Sequence, residues 1–405
     1  MKSHKSISLE HTEFNPLKFL VALGAGGISV IPFAFFQNTH HTGKGLIRFG
    51  QMGHGTLPGW QEALFYGMEA IMVVFALLHF WLTIRFMVKV VPWLQTQTYS
   101  EFLHDPLRNA GILAPFISLG MTLNVFIGPV RFFVPAMAEN LQAMMLPALI
   151  GWAVLWAALL RMEVKLLGIS FARSFDVNKI NFGWLLHPFA LGMISVTGTG
   201  IAAMSQNADI AHTAAFMSLV TGTMGLFLLT VKTVAIFKSH FSAEGLPAKQ
   251  FLPSLLIVIP NITLYAIAGF RLTHYMNHQF GMHLHWLGQV IVVVAFAFEV
   301  WYMLFGLSML RGYFRNHFFN REFHISQWGL ICPFVAFSVL GAFFYRNFVP
   351  NPVTYGVVLI AAAASVIAYG MLFKKSANCA TLTRKIEGHD CSDSLVPTSA
   401  SSPSV

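Results

Sequence analysis

The chain is short of charge. Asp, Glu, Lys and Arg make up 10% of its 405 residues, against roughly 25% in a soluble domain, so it lacks the groups to wet a water-facing surface. An ordinary soluble globular protein is thereby excluded. Cysteine is also scarce. Cys332 sits in an apolar run and Cys379 and Cys391 in a polar tail, which gives no disulfide framework. There is no phosphate-cradling GxxxxGK[ST] loop and no GxSxG elbow, and nothing points to an enzyme. The mixed polar start, MKSHKSISLEHTEFN, is not read as a removable signal peptide.

What is abundant is apolar. The chain is 56% hydrophobic, with 39 Phe, 32 Gly and 19 Met. A span needs about 20 mostly apolar residues, and ten stretches qualify: 16–37, 62–91, 107–133, 139–161, 181–205, 209–237, 250–273, 284–311, 326–346 and 352–374. They predict an all-α membrane protein with one transport-sized domain at 16–374. A segment at 1–15 precedes it, and a Ser-rich tail at 375–405 is expected to be disordered. The net charge of +9 suggests no nucleic acid, because basic residues flanking membrane helices give the same total. Eighteen Lys and Arg near span ends fall on the side of the termini. Five (Lys44, Arg48, Arg131, Arg271 and Arg346) fall on the other. The positive-inside rule then puts both termini in the cytoplasm, in what we expect is a bacterial inner membrane.

Helix breakers alternate along the chain. Every odd span carries proline (Pro16 and Pro32, Pro115 and Pro129, Pro188, Pro253 and Pro260, Pro333), whereas among even spans only the fourth carries one inside its run, at Pro147, and the tenth merely begins at Pro352. Odd spans also hold glycines such as Gly26, Gly27, Gly120, Gly192, Gly198 and Gly200. Proline removes a backbone hydrogen bond and kinks a helix. In lipid, the freed carbonyl must find protein or water. The odd helices are therefore expected to be inner and kinked, and the even ones to form an outer wall.

Three odd spans end in arginine, at Arg131, Arg271 and Arg346. They read as a cationic vestibule that concentrates anions, or as interfacial anchors that snorkel. Within the odd spans the polar groups are small, including Ser29, Thr122, Asn124, Thr197, Asn261 and Ser338. They are candidates to line a path by weak contact, or to pack helix on helix. Glu69, Glu299 and Lys232 lie in even spans. Charges there are costly and usually paired, so a structural ion pair is expected first and proton coupling by Glu69 or Glu299 second. Glu163, beside Arg161 and Lys165, reads as an ordinary end-of-helix charge. The outer-loop histidines His40, His41, His54, His274, His278, His283 and His285 could in principle hold zinc or copper, but no Cys or HExxH partner joins them. His79, His187 and His212 give no two facing pairs for haem. No cofactor or metal is expected.

Several strings resemble one family. FLHDPLRN (102–109), LNVFIGP (123–129), LPSLLIVIPN (252–261) and WGLICPFVAFSVLGAFFY (328–345) are similar, in order and span position, to the tellurite-resistance/dicarboxylate transporter family, which includes the plant slow-type anion channels. The resemblance implies five helical hairpins, with an inner ring of five helices around a pore, an outer ring of five, and a homotrimer with one pore per protomer. It also implies a phenylalanine plug on the ninth span. Here the residue before Pro333 is Cys332, which leaves Phe334 as the first gate candidate and Phe337 as the second. The expected function is passage of small inorganic or organic anions. The alternatives are a proton-coupled carrier of a C4-dicarboxylate or an oxyanion (tellurite, sulfite), and a histidine-dependent redox or metal protein.

Overall fold

The computed structural model describes residues 14–385 without 44, 177–178, 243–247 and 320–322. Among these residues ten helices are long and apolar enough to cross a membrane: α1 Pro16–His40, α2 Gly59–Trp93, α3 Asn109–Phe133, α4 Met145–Ala172, α5 Phe182–Met204, α6 Ala208–Ser242, α7 Leu252–Phe280, α8 His285–Met309, α9 Ile325–Asn347 and α10 Pro352–Asn378. Helix α4 runs well past its expected end at 161. Glu163, taken there as a terminal charge, is buried inside the protein, so the charge does not mark where the helix leaves the apolar region. The helix of α10 continues to Lys385, into the expected tail. The remainder of that tail, and most of the expected N-terminal segment, lie outside the described residues.

Odd and even helices differ in burial. In their most apolar windows, 50 to 100% of residues are buried in the odd helices and 22 to 39% in the even ones, so the odd set is internal. The even set presents large apolar side chains outward, among them Leu77, Ile84, Val154, Val294 and Ile360, as a lipid-facing wall requires. Each even helix packs on two odd ones: α2 on α1 and α3, α4 on α3 and α5, α6 on α5 and α7, α8 on α7 and α9, α10 on α9 and α1. Among the odd helices, α1 packs on α3 and α9, α5 on α3 and α7, and α7 on α9.

The prolines act differently from expectation. All five odd spans open with a 3-10 segment: Pro16–Lys18, Asn109–Leu113, Phe182–Leu185, Leu252–Ile257 and Ile325–Leu330. Pro115, Pro188, Pro260 and Pro333 follow within the first three residues of the α-helical part, where a missing N–H costs least. Only Pro32 and Pro129 break a helix in mid-course. A π-turn Phe36–His40 follows Pro32, and Pro129 lies inside a π-turn Phe126–Val130.

The glycines of the odd spans permit close approach. A Cβ at Gly26 would lie 2.6 Å from Met121 Cγ of α3, and one at Gly120 would lie 2.7 Å from Met193 Cγ of α5. At Gly198 it would lie 2.2 Å from both Trp152 of α4 and Ser218 of α6. Small residues let membrane helices pack without a hydrophobic drive between them.

Candidate functional site

Residues three and four apart share a helix face, and contacts made by such pairs show which way each odd helix turns. Leu23 precedes Gly26, which meets α3, and Gly27, which meets Val335 of α9. Ile117 precedes Gly120, against α5, and Met121, against α1. Phe189 precedes Gly192, against Leu264 and Tyr265 of α7, and Met193, against α3. Cys332 lies beside Ile331 and three before Val335, both against α1, and about three turns before Phe343, which meets Phe270 of α7. Pro260 precedes Leu264, against α5, and stands about three turns before Phe270 and Arg271, which reach α9 and α5. These five side chains therefore lie on the sides of the odd helices turned toward other odd helices. Each is the eighth or ninth residue of its span, about 11 Å in from the end nearest the termini. All five are buried, Phe189 at 3% and Cys332 at 8% exposed.

Two turns further on, the sides of α1, α3 and α9 are less covered, while Val196 of α5 and Ile267 of α7 stay buried. Val30, Asn124 and Val339 are partly exposed, and beyond them Gln37 and Arg271 are partly exposed and Arg346 exposed. Here two of the expected path-lining residues come together: Asn124 Nδ2 donates to Thr197 Oγ1 of α5 at 2.8 Å. The others are spent elsewhere. The Thr122 hydroxyl is 2.8 Å from Nε2 of His79 on α2, whose Nδ1–H donates to Ala22 O. Ser338 donates to Val358 O of α10, Ser29 to Gly26 O and Asn261 to Ile257 O, both within their own helices. Helix packing accounts for these four.

The gate candidates divide. The Phe337 ring packs on Phe296 of α8, with centroids 5.1 Å apart. Phe334 shares a side with Phe337 and Ser338, three and four residues on, which meet α8 and α10. The two phenylalanines thus turn toward outer helices, while Cys332 turns inward. Phe189 of α5 stands at the depth of Cys332. Sequence reasoning missed it, because nothing local separates it from the other phenylalanines; only the contacts of Gly192 and Met193 do.

The three arginines do not act alike. Arg131 is buried and donates to Leu46 O at 3.1 Å and Ile47 O at 3.2 Å. It holds the first outer loop and does not stand free at a mouth. Arg271 donates to Val196 O of α5 at 2.6 Å, beside Gly200, where a Cβ would lie 3.1 Å from its Nη1. Arg346 donates to Gln37 O of α1 at 2.6 Å. These two stand at the end of the inner sides farther from the termini. His274 lies near them, its ring 6.0 Å from that of His285. Among the described residues no three His, Cys, Asp or Glu converge as metal ligands.

Glu69, Glu299 and Lys232 do not pair with one another, although Glu69 has an ion-pair partner in His54. Glu69 accepts from His54 of the first loop at 2.9 Å, and buried Glu299 accepts from Thr263 of α7. Neither carboxylate reaches Lys232, whose ammonium lies 4.3 Å from the centre of the Trp184 ring. Glu163 is the largest correction. It is fully buried and takes a 2.6 Å hydrogen bond from Nδ1 of His187 on α5, itself fully buried. The signal was weak, since Glu163 stands between two basic residues and His187 is far away in the chain.

No curated protein matches this chain significantly. The family model described as voltage-dependent anion channel matches residues 13–376, which span all ten helices. The chain therefore belongs to the voltage-dependent anion channel family of membrane anion channels and transporters.

Proposed function

We propose that the chain passes small anions through a pore bounded by the inner sides of α1, α3, α5, α7 and α9, and that Phe189 is its plug. One observation carries this reading. The inward-turned residues are all buried at the level of Leu23, Ile117, Phe189, Pro260 and Cys332, and two turns on those of α1, α3 and α9 (Val30, Asn124 and Val339) are partly exposed, with exposure continuing along α1 and α9 to Gln37 and Arg346. The packing of each odd helix on two others supports a ring of five, with the even helices as its outer ring. Two arginines at the end farther from the termini would attract anions. At the other end, the odd helices all start from the same side, so their positive dipole ends face it together. Aromatic and aliphatic side chains at the closed level make a constriction that excludes water. No residue there is placed for covalent chemistry. Both termini are taken as cytoplasmic on the charge bias, in a bacterial inner membrane, with three protomers each holding one pore as the resemblance implies. Phe334 and Phe337 lose the plug role in this reading, and Cys332 keeps a place in the closed layer.

The test is an anion-substitution series on the reconstituted protein. Currents are expected to follow chloride, nitrate and sulfite. A reversal potential set by the cation gradient would end the proposal.

A second reading, proton-coupled carriage of a dicarboxylate or an oxyanion, is favoured by Glu299. Its carboxyl is fully buried with a hydroxyl partner and no cation within ion-pair distance among the described residues. That reading expects pH-dependent uptake to be lost in Glu299→Gln and Glu69→Gln. Uptake with the wild-type pH profile in both would remove it.

A further inference from the structure

Behind Phe189, on the opposite side of α5, lies a cluster that the anion path does not use. Glu163 of α4 and His187 of α5 are 0% exposed and joined at 2.6 Å. A carboxylate only accepts, so the bonded Nδ1 carries a proton, and in the neutral ring Nε2 then has a bare lone pair. Neither His187 Nε2 nor Glu163 Oε1 has a hydrogen-bond partner, so two buried polar atoms stand unsatisfied in a packed site. Lys232 of α6 lies within electrostatic range of both residues and over the Trp184 ring. From α7, Tyr265 feels Glu163 and donates to Pro188 O at 2.5 Å. From α3, no titratable side chain occurs between Asn109 and Val130. Glu163, His187, Lys232 and Tyr265 are therefore the titratable groups at this place, and His240 of α6 packs on Phe182 at the start of α5, with ring centroids 5.3 Å apart.

We propose that Glu163 and His187 form a proton-binding site, read by α5, that sets how firmly Phe189 is held. His187 is two residues from Phe189, so the two project from opposite sides of one turn. With Nε2 bare, the pair and Lys232 balance: one carboxylate, one ammonium, one neutral ring. A proton added at Nε2 finds no acceptor among the described residues, and it adds a second cation beside Lys232. Glu163 can balance only one of the two cations, so a surplus buried charge and an Nε2–H without an acceptor remain, and both are costly. The surplus is relieved if α5 shifts so that the Nε2–H or Lys232 reaches water, and the packing of the first turns of α5 on its neighbours then yields while the His187–Glu163 pair itself is strengthened. The same segment carries Phe189, so acid should loosen the plug. This rests on the reading of Phe189 as plug in an anion path.

The experiment measures chloride flux and melting temperature of the reconstituted protein at about pH 5.5 and about pH 7.5, on either side of an ordinary imidazole. Wild-type flux is expected to be at least about fivefold higher in acid, an ordinary coupling strength. His187→Gln, which keeps a donor but cannot titrate, and Glu163→Gln are expected to bring that ratio to near one. An undiminished ratio in both, or a wild-type ratio near one, overturns the proton site and leaves the anion path standing. Absence of flux at both pH values overturns the anion path. The site then stands only if the wild-type melting temperature shifts with pH and that of His187→Gln does not. Should both variants fail to fold, Lys232→Met, which leaves the bonded pair intact, must move the pH of half-maximal flux, and an unmoved midpoint overturns the proposal.

Discussion

Phe189→Ala is expected to raise anion conductance by at least about tenfold. Deleting a packed phenyl ring removes contacts worth about 3–5 kcal/mol. If only a third of that appears in the barrier to passage, the rate rises about tenfold. The complementary change, Cys332→Phe, adds bulk to the same level from α9 and is expected to lower conductance by a comparable factor. Phe334→Ala and Phe337→Ala serve as contrasts. Phe337 packs on Phe296 of α8, and Phe334 shares its side, so their loss should cost stability and leave conductance within about twofold, the effect of a barrier change near 0.4 kcal/mol. Single-channel or flux measurements on the four variants decide between α5 and α9. A conductance rise in Phe334→Ala with none in Phe189→Ala would return the plug to the ninth helix.

The second large effect is expected at Gly198. Its α-carbon faces the fully buried Trp152, whose indole N–H donates to Ile194 O at 2.9 Å. A methyl group there would meet the Trp152 ring and Ser218 Oγ, each at 2.2 Å. The ring is anchored by its hydrogen bond and cannot swing aside, so α4 or α6 must move. We expect Gly198→Ala to cost about 3 kcal/mol, the upper end for overpacking a core, and to cut the yield of folded, monodisperse protein severalfold. Gly151→Ala on α4 is the control, since no atom lies within 4 Å of a Cβ built there. Removing a glycine at an open position of a helix is expected to leave yield unchanged or improved. A yield of Gly198→Ala equal to that of wild type would show that α5 and its neighbours can separate at little cost.

The sequence made some of this architecture legible. The ten spans could be read because crossing lipid demands a long apolar run, and that demand is local. The odd–even contrast could be read because Pro and Gly are tolerated where neighbouring protein satisfies the backbone or needs close approach. The buried odd helices agree with it. The action of the prolines was less legible. Pro115, Pro188, Pro260 and Pro333 sit where 3-10 turns pass into α-helix, and a proline in the first turn looks the same in sequence as one that kinks the middle.

Side-chain roles were legible only where partners were close in the chain. Asn124 and Thr197 were both named as path residues and do meet, yet Thr122, two residues from Asn124, turns to His79 on an outer helix. Glu163 was read from its basic neighbours, whereas its partner His187 lies 24 residues on. Composition and periodicity by themselves determined that the chain is a ten-span membrane protein with an inner and an outer set of helices. Only the tertiary structure decided which side of each inner helix faces the others, and so set Phe189 and Cys332 inward and Phe334 and Phe337 outward. The physical reason is that helical period fixes which residues share a side, but the neighbour that covers that side is chosen by packing between segments far apart in the chain.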